Sequence, residues 1–379
     1  MKRNFYLISN FTYIIAWAIM LNACNPVVGT IPPPPNINLT LCGLPLTVSS
    51  SGTTTTTQPP QIAGSAYNEI LFATNNTTSE PVNIYHALTN TWSLDALSIP
   101  RNNIGVGSVD NKIFFAGGGG PTLGIPYDII NNPLNPGDLT SQIDVFNTIT
   151  NTWSILHLSE SKARVAVGSA GHVIAFSSGV LAGAFFSTNI DIYDNASNSW
   201  SVAQGLNSYG QAGAGAGNKI VFFGGGTSIA GPVDARAQIY DVVSKTWTTE
   251  YLDYGAKDMA GAGACNTIIF AGGVNQDNDP TDLVAIYDVI GDTWSTAHLS
   301  TTRGEGVFAA ALGNKIFIGG GANVLTVDVY DANNGTWSTE PITALKTTGA
   351  GAVNKMLIGG PALTKFQLSG IFDIFSVGL

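Results

Sequence analysis

The chain has 379 residues, enough for two ordinary domains or for one long repeat array. Only 11% of them are charged, 44% are hydrophobic and 44 are glycine, a balance that excludes a disordered chain and suits many short strands joined by tight turns. The formal net charge of −10 excludes nucleic acid as a partner, because phosphate affinity needs clustered Lys and Arg.

The first 23 residues read as an export signal of lipoprotein type. Lys2 and Arg3 precede an apolar core from Tyr13 to Leu21, and Leu21-Asn22-Ala23-Cys24 resembles a bacterial lipobox. In such a site the cysteine is lipid-modified and becomes the new N-terminus, so Cys24 is the expected lipidation position and membrane attachment. Removing Lys2 and Arg3 takes the net charge from −10 to −12. The alternative is an uncleaved signal anchor from Phe5 to Ala23. Two further cysteines, Cys42 and Cys265, are near enough to pair only if the fold makes them so. Cys265 reads as a small buried thiol in a Gly/Ala-rich strand.

Residues 24–60 read as a tether. Pro32 to Pro35 is a polyproline-like spacer. Leu39 to Val48 alternates weakly and reads as a strand, and Ser49 to Pro60 (SSSGTTTTTQPP) reads as a linker unable to pack a core.

From residue 61 to 379 one phrase repeats. Asn90-Thr91-Trp92-Ser93 returns as Asn151-Thr152-Trp153-Ser154, Asn198-Ser199-Trp200-Ser201, Lys245-Thr246-Trp247-Thr248, Asp292-Thr293-Trp294-Ser295 and Gly335-Thr336-Trp337-Ser338. The Trp spacings are 61, 47, 47, 47 and 43, a period in the forties without helical patterning. That points to four-stranded units stacked around an axis, an all-β propeller. Each unit begins with a small-residue strand such as Ala212 to Ala216, suited to the crowded axis. A second strand follows, ending in a Gly doublet such as Gly224-Gly225. A third ends in Tyr-Asp, as in Tyr240-Asp241, and the Trp strand closes the unit. Second strands begin near Glu69, Lys112, His172, Lys219, Thr267, Lys315 and Lys355, which makes seven blades, with six as the alternative.

The recurring Gly-Gly, Tyr-Asp and Trp elements resemble the Kelch repeat, and the resemblance covers residues 61–379. It implies a propeller of four-stranded Kelch-like blades. Departures are Ala73-Thr74 and Ser177-Ser178 at the doublet, and Tyr85-His86 and Phe146-Asn147 at Tyr-Asp. The seventh unit lacks its Trp strand, and an N-terminal strand at 39–48 is expected to close the ring. The linker behind it spans up to about 40 Å, against about 15 Å across three strand spacings.

Variable length is expected on one face, where second-to-third-strand loops and blade-to-blade connections meet. The longest loop, Gly119 to Ser141, carries Tyr127, Asp128 and Asp138. Gly179 to Thr188 offers Phe185 and Phe186. Arg101, Lys162, Arg303 and Lys346 recur at one position of the connections, with Lys257 one residue later and Arg164 two after Lys162. They are expected to ring the channel mouth on this face, where Glu305 also falls. The ligand-binding set expected from sequence is therefore Arg101, Arg164, Arg303, Tyr127, Asp128, Asp138 and Glu305. The opposite face is expected to be uniform and polar.

No metal or other cofactor is expected. Asp277, Asp279 and Asp282 alternate as calcium ligands do, but the Gly of an EF-hand turn is missing. No catalytic set emerges either: the four histidines do not converge, and no nucleophile elbow or zinc pair appears. The expected role is a monomeric, non-enzymatic binding scaffold at the cell envelope for a protein or glycan. The Kelch resemblance keeps one alternative open, a carbohydrate-active propeller such as a sialic-acid mutarotase-like epimerase, built on an Arg and an acid such as Glu305.

Overall fold

A computed structural model describes residues 46–56, 62–73, 81–119, 138–227, 231–364 and 367–378. The expected signal sequence with Cys24, the proline spacer, most of the expected strand at 39–48, and Tyr127 and Asp128 lie outside these residues.

Seven antiparallel four-stranded sheets form the structure. Blade 1 runs through Ile62–Ala66, Glu69–Ala73, Pro81–His86 and Thr91–Ala96. Blades 2 to 6 repeat that order, with inner strands at Gly105–Val109, Ala166–Ala170, Ala212–Ala216, Ala260–Ala264 and Val307–Leu312. Each inner strand neighbours the next, and that of blade 7, Thr348–Ala352, meets that of blade 1. The fold is a seven-bladed β-propeller.

Ring closure uses the N-terminus at a different place from the one expected. Blade 7 adds Lys355–Thr364 and Gln367–Gly378, and its outer strand is Thr47–Thr56, antiparallel to Gln367–Gly378 with a bulge between Ser50 and Gly52. The segment read as a linker is thus mostly the strand. Its polarity misled the reading. Thr is β-branched and favours extended backbone, and an outer strand needs only one apolar flank. Leu46 and Val48 supply it, packing with Ile342 and Val377.

Seven apolar clusters fill the seven blade interfaces. The one between blades 7 and 1 joins Phe72, Tyr85 and Trp92 to Phe372, with Phe72 and Phe372 centroids 4.6 Å apart. Within a blade the Trp lies opposite the third-strand aromatic, as Tyr85 does Trp92 at 5.1 Å. Trp153 Nε1 also donates to Asp95 of the preceding blade at 2.8 Å, and Trp294 Nε1 to Glu250 at 2.6 Å.

The repeated turn residues have a backbone cause. The residue before Thr/Ser-Trp is left-handed in every complete repeat: Asn90, Asn151, Asn198, Lys245, Asp292 and Gly335 have φ between 52° and 71°. Asn, Asp and Gly tolerate that region best. The Asp of Tyr-Asp anchors the same turn: Asp241 Oδ1 accepts from the amides of Val243 and Ser244 at 2.9 Å each. The Ser244 amide above all holds the Asp241 carboxyl down at about 2, with Lys219 and the Val243 amide assisting against the opposing effect of burial. The glycine doublet keeps blades close, since a Cβ on Gly117 (φ 64°) would lie 2.3 Å from the Lys162 carbonyl oxygen of the next blade.

Two expectations change here. Cys265 sits in the turn after Ala260–Ala264, half-buried at φ 56°, and is disulfide-bonded, its partner lying outside the described residues. The short-turn face is not uniformly polar: Leu88, Ile149, Val243 and Ile290 occupy equivalent turn tips and are 54–78% exposed.

Candidate functional site

The basic residues expected at the channel mouth divide into two groups. Arg101, Lys162, Arg303 and Lys346 are buried, each paired with the aspartate at the third position of a third strand's core. The pairs are Arg101–Asp144 at 2.6 Å, Lys162–Asp191 at 3.1 Å, Arg303–Asp328 at 2.8 Å and Lys346–Asp373 at 2.8 Å. Each also donates to at least one main-chain carbonyl, as Arg101 Nη2 does to Phe115 at 2.9 Å and Arg303 Nη1 to Gly320 at 3.1 Å. Arg101 and Arg303 therefore lock connections onto blades and do not line the mouth, which corrects the sequence-based placement. Lys257 is buried too, donating to Asn278 at 3.0 Å.

Arg164 behaves differently. It and Glu305 line a cavity of about 400 Å³ together with Asn103, Gly210, Gln211 and Asp258, over an apolar floor including Ile62, Ile104 and Met259. The walls come from one repeat position. Asn103, Arg164, Gly210, Asp258 and Glu305 each stand two residues before the inner strand of blades 2 to 6. The first four are left-handed, at φ 56°, 55°, 64° and 55°, and in blade 6 the positive φ of 80° passes to Gly306. Backbone bonds from Arg164 N to Asn103 O and from Asp258 N to Gly210 O, 2.8 Å each, tie neighbouring blades at this level. A left-handed Arg is held only where its surroundings require it.

Those surroundings are polar and tight. Arg164 Nη1 donates to Tyr209 Oη, the guanidinium lies 5.3 Å from the Tyr209 ring centroid, and Asp258 Oδ1 is 3.6 Å from Nη1. Burial pushes the Tyr209 phenol up to about 12, Arg164 opposing and Asp258 and Glu305 adding to the rise, so it is neutral at pH 7. Burial likewise raises the Asp258 carboxyl above its ordinary range; Arg164 and Lys257 oppose the shift and Glu305 reinforces it. Gln211 is 7% exposed; its Oε1 accepts from Ser177 at 3.2 Å, while its Nε2 has no hydrogen-bond partner among the described residues. A buried amide donor left open beside a cavity is a prepared contact for an acceptor. Phe186 packs against Tyr209 with ring centroids 5.6 Å apart and planes tilted by 44°, and its neighbour Phe185 is 70% exposed.

No protein-family model and no curated protein sequence matches the chain. Its likeness is to solved structures. One, the structure of YjhT, superposes with a TM-score of 0.53 at 13% identity, covering 83% of this chain and 98% of that one. At that identity the likeness carries the fold alone. The chain is similar to YjhT as a propeller.

Of the remaining expected site residues, Asp138 lies partly buried at the end of its loop, beside the Leu139 bridge to Gly119, and is not in the cavity wall. Asp277, Asp279 and Asp282 do not gather: Asn275 Oδ1 accepts the amides of Asp277 and Asp279, Asp282 faces His298 at 3.1 Å, and among the described residues no cluster of three metal-ligating side chains occurs. Asp258, Tyr209 and Gln211 escaped the sequence reading. Aligning the position two before each small strand, which reads Asn, Arg, Gly, Asp, would have exposed the column, since three of those four residues are the usual occupants of left-handed backbone.

Proposed function

We propose that this protein is an exported, envelope-tethered, Kelch-like binding propeller that takes the polar end of a glycan, or of a protein carrying equivalent groups, in the channel-mouth cavity of its variable face. The observation that carries the reading is Arg164, left-handed and clamped between Tyr209 and Asp258, facing Glu305 and the open amide of Gln211. A concave site with an apolar floor and a few convergent polar groups is what recognition of a polyhydroxylated ligand requires. The disulfide at Cys265 accords with an oxidising compartment. The acidity of the chain argues against nucleic acid as partner. A monomer anchored through Cys24 completes the reading.

Binding to a glycan panel, followed by calorimetry on each hit, tests the site. Arg164→Gln and Asp258→Asn are expected to weaken binding at least tenfold, with Arg101→Gln/Arg303→Gln acting through stability instead. Unaltered affinity in both cavity variants would move the site elsewhere. Cys24→Ser is expected to release the protein from the membrane fraction or block its processing; unchanged retention would favour the signal anchor.

A second reading, an epimerase acting on a sugar hemiacetal, is favoured by one feature: two carboxylates in different settings, Asp258 raised by burial and Glu305 exposed, flank one Arg. Anomer interconversion followed by NMR at substoichiometric protein separates it from pure binding.

A further inference from the structure

Blade 1 departs from the others at two facing positions. The first residue of the second strand lies opposite the last residue of the third, and in blades 4 and 6 these are Lys219 with Asp241 at 3.0 Å and Lys315 with Asp331 at 2.7 Å. In blade 1 the same positions hold Glu69 and His86, with Glu69 Oε2 2.6 Å from His86 Nδ1. A charge-swapped copy of the ladder pair would need nothing more, yet two further contacts are present. Asn68 Nδ2 donates to Glu69 Oε1 at 2.9 Å, and His86 Nε2 is 2.8 Å from Ser93 Oγ on the outer strand. Ser93 is the serine of the Trp phrase, which recurs in other blades without a histidine beside it.

The three side chains are graded from inside to outside. Glu69 is 3% exposed, His86 is partly exposed and Ser93 is exposed. With its proton on Nδ1, 2.6 Å from the buried Glu69 carboxylate, His86 leaves Nε2 to accept from the Ser93 hydroxyl. Nucleophile, base and orienting acid then stand in the order that activates a serine, whatever the fold that carries them.

We propose that Ser93, His86 and Glu69 form a nucleophilic serine site that accepts small carboxylic esters at the surface of blade 1. Ser93 Oγ attacks the ester carbonyl and a new Oγ–C bond forms. His86 Nε2 takes the hydroxyl proton and passes it to the departing alcohol as the C–O ester bond breaks. Water, losing its proton to His86, then hydrolyses the acyl-serine and restores the hydroxyl, so ester and water become acid and alcohol. Glu69 acts as a positioning residue, holding the imidazole in the reactive tautomer. This site shares no residue with the channel-mouth cavity.

The test uses the full chain with a fluorophosphonate probe and with p-nitrophenyl acetate. One label per chain is expected, mapped by peptide mass spectrometry to Ser93, with a matching release of p-nitrophenol. Ser93→Ala should abolish both, and His86→Asn should slow labelling at least tenfold. Because Glu69 is buried, the fold control is Glu69→Lys combined with His86→Asp, which installs the ladder pair of blades 4 and 6. That variant should melt within a few degrees of wild type yet resist the probe. Labelling unchanged in His86→Asn, label spread over other serines, or equal reactivity in the folded double variant would overturn the proposal.

Discussion

Arg303 and Asp328 lie 2.8 Å apart with both side chains buried, and neither is tolerable there alone. Other blades show the same rule by omission. Where blade 5 has Ala256 at the basic position it has Ala285 at the acidic one, and blade 4 pairs Ser208 with Gln238, whose Oε1 accepts the Leu206 amide at 2.9 Å. Base and acid come and go together because a buried charge without its partner retains its full desolvation cost. Arg303→Met alone is therefore expected to lower stability by about 3–5 kcal/mol, and adding Asp328→Leu should recover most of it. Urea unfolding midpoints of the two variants check this. Gly210 decides geometry at the same scale. A Cβ there would stand 2.8 Å from Asp258 Oδ1 in addition to straining a φ of 64°, so Gly210→Ala should impair the cavity more than its size suggests.

At the scale of the element, the third-to-fourth-strand turn is held by an ionised aspartate. Asp241 titrates at about 2 in the folded chain against an ordinary 3.8. The folded form therefore holds fewer protons than the unfolded chain between those values, and the group's contribution is complete above about 4 and lost as pH falls through 2. Thermal unfolding of wild type and Asp241→Asn should differ above pH 4 and converge near pH 2; a constant difference across that range would remove the carboxylate from the account. The N-terminal strand makes the other element-scale prediction. Leu46 is 6% exposed in the blade 6–blade 7 interface, so Leu46→Ala should cost about 2–5 kcal/mol by chemical denaturation. Deleting Thr47–Thr56 should do more, leaving the edge of Gln367–Gly378 open to pairing and lowering the concentration at which the protein aggregates.

For the whole molecule, closure converts a linear repeat into a site. Five blades bring one repeat position to the channel mouth, and only the ring makes residues as far apart in sequence as Asn103 and Glu305 neighbours around one cavity. The blade count, the strand order within each blade and the identity of the second strands were legible in the sequence, because tight turns and the crowded axis impose their own residue types locally: Asn, Asp or Gly at the left-handed turns, Gly and Ala on the inner strands. The recurrence of Arg and Lys was legible as well, but not its meaning. Spacing placed Arg101 and Arg303 beside Arg164, and only packing showed the first two turned into buried pairs with third-strand aspartates and the last turned to the channel. The same holds for Ser49 to Thr56, polar enough to read as linker until an unpaired outer edge gave it a partner. Local periodicity by itself determined the four-stranded blade and pointed to seven of them, since each strand and turn states its conformation in a few neighbouring residues. Tertiary structure alone decided which charges are neutralised inside and which face the cavity, because that depends on contacts between positions tens of residues apart.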